Sequence, residues 1–200
     1  MDWIRRTYHA AGLTQHPVGR HLSAVQAFFG GTVVLCLDVS GSMSGDRLVQ
    51  GVAGSQEFVA EALAAHYTVG VVLWDDGVHA AIDPTRDDAA LQRFLRGAQI
   101  AGGTNVIPAL LRSEQMLAER TGDRVIAIFG DGDLGSPARA VEEANRLAGL
   151  GIRVITCGLG QASGEALNII STETEQAPRV AEAGAIAQAI SGMSSALRRT

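Results

Sequence analysis

Two hundred residues, 46% of them hydrophobic, suffice for one domain with a sizeable core and are too few for two. The net charge of −5, without a basic stripe interleaved with aromatics, argues against nucleic acid as a partner. All sixteen cationic side chains are arginines, so a P-loop lysine and a Schiff base are both excluded.

No purely apolar run is longer than Val125 to Phe129, far short of a membrane span, and Met1-Asp2-Trp3-Ile4-Arg5-Arg6 carries no apolar block of a secretory signal. The chain is therefore expected to be soluble and cytoplasmic, with no membrane partner. Cys36 and Cys157 each lie inside an apolar, strand-like run, which predicts two buried reduced thiols rather than a disulfide framework.

Residues 1–31 read as an N-terminal helical extension. Leu22, Val25, Phe28 and Phe29 share one helical face, set apart from the Trp3-Ile4 and Tyr8 cluster by His16-Pro17-Val18-Gly19. Two adjacent phenylalanines are costly to leave in water, which favours a helix docked on the core over a partner-binding arm. His9, His16 and His21 lack metal-ligand spacing and are read as surface residues.

Val33 to Leu37 is the first apolar strand. It runs into the turn Asp38-Val39-Ser40-Gly41-Ser42, and an amphipathic helix follows from about Asp46 to His66. One carboxylate and two alternating hydroxyls, with a glycine that lets the backbone turn tightly, gather hard oxygen donors at a strand's carboxyl end. Such a donor set suits magnesium.

Thr68 to Trp74 is a second strand with the near-continuous apolar pattern of burial on both faces. Asp75-Asp76-Gly77 then leads into Val78 to Ile82, and Asp-Gly between two strand-like runs predicts a hairpin, hence an antiparallel edge strand. Pro84 with Asp87 and Asp88 is expected to open a helix carrying Leu91, Phe94 and Leu95. The loop Ala101-Gly102-Gly103-Thr104-Asn105 precedes a helix with Val106, Leu110 and Leu117 on one face.

Val125 to Phe129 is the next buried strand, ending in Gly130-Asp131-Gly132-Asp133. Ser136-Pro137 is an N-cap and first-turn pair for a helix through Leu147, closed by Gly149 and Gly151. A strand over Ile152 to Cys157, a short helix over Glu165 to Ile170 and a brief strand over Arg179 to Ala181 follow. Ile186, Ile190, Met193 and Leu197 then make a helical stripe to the end.

Alternating buried strands and helices predict an α/β fold: a doubly wound, mostly parallel six-stranded sheet with one antiparallel edge strand and helices on both faces. If the hairpin ends at an edge, the chain must return to set the fourth strand beside the first. The gap between them is then the topological switch point, where ligands bind in doubly wound sheets. Asp38 and Asp131 end those two strands, so topology and donor chemistry meet at one crevice.

The set Asp38, Ser40, Ser42, Thr104 and Asp131 resembles the metal-ion-dependent adhesion site (MIDAS) of von Willebrand factor type A (vWA) domains: D-x-S-x-S, a distant threonine and a distant aspartate. The resemblance runs from about Thr32 to Arg198, which makes residues 32–200 the vWA domain and implies its Rossmann-like fold. It implies that Ser40 and Ser42 bind a metal directly, that Thr104 is the switchable ligand, and that Asp38 and Asp131 balance charge, partly through water. Two carboxylates about 5 Å apart repel by roughly 3 kcal/mol at an effective dielectric near 20, a conflict that a divalent cation removes. Oxygen-only donors favour Mg²⁺ or Mn²⁺ over zinc.

In this family the metal mostly completes its shell with an Asp or Glu side chain of a partner protein, for recognition rather than turnover. The chain looks most like free-standing cytoplasmic bacterial members, which often work with MoxR-type AAA+ ATPases or in tellurite-resistance and conflict-defence systems. The resemblance thus implies a Mg²⁺-dependent adaptor that is not an enzyme; Phe28 and Phe29, outside the resemblance, are the alternative second contact with a partner. One departure is Gly130, where many members carry threonine; it alters a hydrogen bond behind the site and leaves the ligands themselves in place. Asp75 and Asp133 are read as solvated or capping turn residues, and His79 as structural or exposed.

Two enzymatic readings compete. Gly130-Asp131-Gly132-Asp133-Leu134-Gly135 formally satisfies G-x-G-x-x-G after a strand, the signature of a dinucleotide-binding oxidoreductase. Its two aspartates would repel a pyrophosphate, and the next strand ends in Cys157-Gly158-Leu159-Gly160 with no acidic residue for a ribose. A metal-dependent phosphotransferase or hydrolase using Asp38 lacks a second aspartate at position 40 and a lysine to steady a phosphoaspartate.

Overall fold

The structure of the chain, a computed structural model, describes residues 30–173, 177–182 and 184–197. The expectations for residues 1–29, including the docked helix, Phe28, Phe29 and the three histidines, lie outside the described residues.

In chain order the elements are β1 (Gly31–Asp38), a 3-10 turn (Gly41–Met43), α1 (Asp46–Ala64), β2 (Thr68–Trp74), β3 (Val78–Thr85), α2 (Asp88–Arg96), α3 (Ile107–Leu117) and β4 (Asp123–Gly130). They continue with α4 (Pro137–Gly149), β5 (Ile152–Leu159), α5 (Gln161–Asn168), β6 (Arg179–Ala181), α6 (Ile186–Gly192) and a second 3-10 turn (Met193–Ala196). The six strands form one sheet in the order β3-β2-β1-β4-β5-β6, parallel throughout except for the antiparallel β2–β3 pair at the edge. The chain grows from β1 to one side, then crosses back to place β4 beside β1, so the expected switch point between the ends of those strands is present.

Strand alternation explains why the strands read as continuous apolar runs. Val33, Leu35 and Leu37 point into a core built with Phe58 and Val59 of α1, Leu91 and Leu95 of α2, and Ile186 and Ile190 of α6. Val34 and Cys36 point to the other face, into a core with Leu110 and Leu117 of α3, Ala144 and Leu147 of α4, and Leu167 of α5. Both faces are dry, so both sets must be apolar. Truncating a fully buried leucine such as Leu35 to alanine would cost roughly 2–5 kcal/mol. Cys36 and Cys157 are free thiols in these cores, and burial pushes each up to about 12.

Several boundaries differ from the sequence reading for identifiable reasons. Helix α1 stops at Ala64 because His66 adopts a left-handed φ of 67°, and Arg86 then donates to the carbonyls of Leu63 and His66 at the helix end. Pro84 does not open a helix. It extends β3, where an edge strand tolerates the missing N–H, and Gly70 leaves room for its ring: a Cβ there would stand 3.2 Å from Pro84 Cδ. Helix α2 is instead capped by Asp87, whose carboxylate accepts the Ala90 N–H at 3.0 Å.

Ser136 does occupy the N-cap position of α4, but its hydroxyl makes no capping bond; only its carbonyl engages the helix, accepting from Ala140 N–H. Helix α5 begins at Gln161, four residues before the expected start. The final apolar stripe is buried as expected, although the α-helix gives way to a 3-10 turn at Met193. Among the described residues, no helix is long and apolar enough to cross a membrane.

Candidate metal centre

The site is built where β1 and β4 end side by side. Val39 N–H bonds the carbonyl of Trp74 at 2.9 Å, which prolongs the β1–β2 ladder by one residue and aims the chain over the sheet edge. The Asp38 side chain turns back under this bend and accepts the Ser40 N–H on Oδ1 at 2.8 Å. Its other oxygen, Oδ2, accepts the Asp131 N–H at 3.2 Å, so one carboxylate holds both strand ends. The 3-10 turn that follows closes through Met43 N–H to Ser40 carbonyl at 2.9 Å and presents the two serine hydroxyls together.

Ser40 Oγ and Ser42 Oγ stand 3.0 Å apart, and the Ser42 hydroxyl donates to Asp131 Oδ2. Asp131 Oδ1 in turn accepts the Asp133 N–H at 3.1 Å, and Asp133 Oδ1 the Gly135 N–H at 2.8 Å, so the β4–α4 loop winds around its own carboxylates. The structure therefore brings four of the five expected residues into one hydrogen-bonded cluster. Its floor, Asp38 and Ser40, is sealed from solvent, whereas Ser42 is exposed and Asp131 half-buried.

Thr104 stands in the adjoining α2–α3 loop, half-buried, and its hydroxyl is not joined to that cluster. Its loop is nonetheless tied down. Ala101 N–H bonds the Val39 carbonyl at 2.8 Å, and Gly41 N–H bonds the Gly102 carbonyl at 3.2 Å. Asp75 braces it from the other side, accepting Gly102 N–H at 3.1 Å on its carboxylate and Asn105 N–H at 2.7 Å on its carbonyl.

Asp75 thus caps backbone, as read from its position in a turn, but the loop it braces is the one that bears Thr104. That partnership joins residues 27 apart and leaves no local signal. Arg47 is a further residue that the sequence reading did not single out: its guanidinium donates to the Ser42 carbonyl at 2.9 Å and places a positive charge at the rim. His79 is exposed, 4.0 Å from Asp75.

The electrostatics follow from burial. Removal from water pushes the Asp38 carboxyl up to about 6, against the hydrogen bonds from Ser40 and Asp131, with the charge of Asp131 adding to the rise. Burial also acts upward on Asp75, but there the N–H groups of Gly77 and Gly102, with Asp76 and His79, outweigh it and hold the carboxyl below the usual range. Among the described residues, no cationic side chain pairs with Asp38.

The donors gathered here are hard oxygens. Adjacent ligands of an octahedral magnesium at 2.0–2.1 Å are about 3.0 Å apart, the spacing of the two serine hydroxyls. Among the described residues, no group of three or more His, Cys, Asp or Glu side chains is arranged to hold a metal. A cation here would therefore rest on hydroxyls as much as on carboxylates, which disfavours zinc.

A sequence profile of the von Willebrand factor type A domain matches residues 33–133, a span that contains the whole D-x-S-x-S turn, Thr104 and Asp131. The fold is similar to the vWF domain of the type V pili tip protein Mfa5 from Porphyromonas gingivalis, with TM-score 0.73 and 16% identity over 86% of this chain and 98% of that one. It is also similar to the conserved hypothetical protein BatB from Bacteroides thetaiotaomicron, with TM-score 0.66 and 21% identity over 83% of this chain and 100% of that one. The pilus adhesin SpaC from Lactobacillus rhamnosus GG matches with TM-score 0.69 and 15% identity over 84% of this chain but 30% of its own length. No curated protein matches in sequence. The profile match over half of the chain carries the family, and the structural neighbours carry the fold: the chain belongs to the von Willebrand factor type A domain family.

Proposed function

We propose that this vWA domain is a Mg²⁺-dependent protein-interaction module rather than an enzyme, with the ion held by Asp38, Ser40, Ser42, Thr104 and Asp131. The observation that carries the reading is the 3.0 Å spacing of the Ser40 and Ser42 hydroxyls over the buried Asp38 carboxylate. A bound divalent cation supplies an open coordination position for an Asp or Glu side chain of a partner protein. The residues of the chain do the rest. Asp38 holds the two strand ends together, Ser42 and Asp131 line the open side, Arg47 adds positive charge at the rim, and Asp75 steadies the Thr104 loop.

The same reading extends to the setting implied by the resemblance: a cytoplasmic bacterial complex with a MoxR-type AAA+ ATPase or a stress-resistance or conflict-defence component. Thermal unfolding of wild type and Asp38→Ala in EDTA, Mg²⁺, Mn²⁺ and Ca²⁺ tests the metal. An ion at ten times its Kd stabilises by about 1.4 kcal/mol, or roughly 3–6 °C at this chain length. The shift is expected in wild type and absent in Asp38→Ala; partner capture with and without EDTA then tests the interaction. Equal melting in all four conditions would remove the metal from the proposal.

A further inference from the structure

Beneath the site, Trp74 ends β2 directly beside Asp38 in the parallel register, and its side chain is fully buried. Its indole Nε1 is also buried and has no hydrogen-bond partner among the described residues. Buried indole N–H groups ordinarily find an acceptor, so this one calls for an explanation.

Gly130 indicates where the ring sits. A Cβ placed on it would stand 3.0 Å from Trp74 Cζ2 and 3.0 Å from Asp38 Oδ2, so ring and carboxylate flank the same gap. Cζ2 belongs to the benzo ring of the indole, so it is this part of the ring that borders the gap. Trp74 also shares its apolar cluster with Val106 and Ile107, which follow the Thr104 loop, and with Leu134 of the Asp131 loop. Trp74 thus lies beside Asp38 and Gly130 and belongs to the cluster that the flanks of the other two ligand-bearing loops join.

We propose that Trp74 is a positioning residue of the site: its indole, seated against the open face of Gly130, fixes where the Asp38 carboxylate stands. The inference rests on the metal-binding reading given above and goes beyond it by naming the group that sets the geometry from behind. It also gives a chain-specific reason for glycine at position 130. Any side chain there would press on the ring and on the carboxylate at once.

The test measures Mn²⁺ alone, by its free-ion EPR signal, against wild type, Trp74→Phe, Gly130→Ala and Leu147→Ala. The last is a control: Leu147 lies in the same cluster but at the far end of α4. Substitutions behind metal ligands typically weaken affinity 10–100-fold, so Trp74→Phe and Gly130→Ala are each expected to bind Mn²⁺ about tenfold more weakly. Leu147→Ala should lose stability and keep wild-type affinity, a split that a merely structural role for Trp74 would not produce.

The chain has two tryptophans, Trp3 and Trp74. In a Trp3→Phe background, quenching of the remaining emission by Mn²⁺ therefore reports binding next to Trp74. Wild-type affinity in either Trp74→Phe or Gly130→Ala overturns the inference and leaves the metal site standing. Absence of Mn²⁺ binding in wild type removes the site itself, and the inference with it. If Gly130→Ala does not fold, Trp74→Phe decides alone.

Discussion

At the amino-terminal edge of the sheet, Asp123 is held by Arg153 through two hydrogen bonds of 3.0 and 2.6 Å and by the Tyr67 hydroxyl. At the carboxyl edge, Asp38 is more deeply buried and is held by hydrogen bonds from Ser40 and the Asp131 N–H, beside a neighbouring carboxylate. The first arrangement continues outward, since Arg153 also lies 3.7 Å from Glu173, which pairs with Arg179 at 2.6 Å. It carries its own counter-charge and pins the start of β4 to the last turn through the Ala196 carbonyl. In the second, among the described residues, no cationic side chain pairs with Asp38, and Arg47 stands at the rim on the Ser42 carbonyl. One end of the sheet is a closed ion pair that serves stability; the other is an acidic pair that, under the proposed function, a cation from outside completes.

The difference is open to attack from both ends. The largest effect is expected from Arg153→Ala, which removes the guanidinium that Asp123 and Glu173 share. Breaking a partly buried pair from one side should cost roughly 3 kcal/mol by urea denaturation. That cost should be the same in EDTA and in Mg²⁺, because the pair lies at the opposite edge from the candidate site.

Asp38→Asn should behave in the reverse way. In EDTA its stability should stay within about 1 kcal/mol of wild type, since it removes a buried charge while keeping most of the shape. In Mg²⁺ it should lack the stabilisation of about 1.4 kcal/mol expected of wild type at ten times the Kd. An Asp38→Asn protein that is equally stabilised by Mg²⁺ would erase the contrast between the two edges.

The smallest effect is expected at Asp75, the carboxylate of the carboxyl edge that backbone N–H groups satisfy internally. Its folded-state pKa lies below its unfolded value, so the unfolded chain takes up the proton first as pH falls. The stabilisation is therefore complete above the unfolded pKa and is lost as pH drops through the folded value. Asp75→Asn should flatten the acid limb of the stability–pH curve by up to about 1 kcal/mol. The variant should also speed amide exchange at Gly102 and Asn105, which anchor the Thr104 loop.

The carboxyl edge was legible in the sequence to a greater depth than the amino-terminal edge. Asp38, Ser40 and Ser42 sit within five residues, and the apolar runs on either side of the Asp-Gly hairpin fix the strand order that brings Asp131 to them. The Asp123–Arg153–Tyr67 cluster joins residues from β4, β5 and the loop before β2, so it exists only once the sheet is registered. The same holds for Trp74 and Gly130, whose apposition depends on β2 and β4 flanking β1. Pro84 was misplaced because proline favours a helix's first turn and an edge strand alike, and only the Gly70 contact distinguishes them.

A crystal grown with Mn²⁺ and measured at the manganese absorption edge is the most direct test of the metal site. A single strong anomalous peak is expected within coordination distance of Ser40 Oγ and Ser42 Oγ, between the Asp38 and Asp131 carboxylates. No peak at the carboxyl edge of β1 and β4, or one bound without either serine hydroxyl, would contradict it.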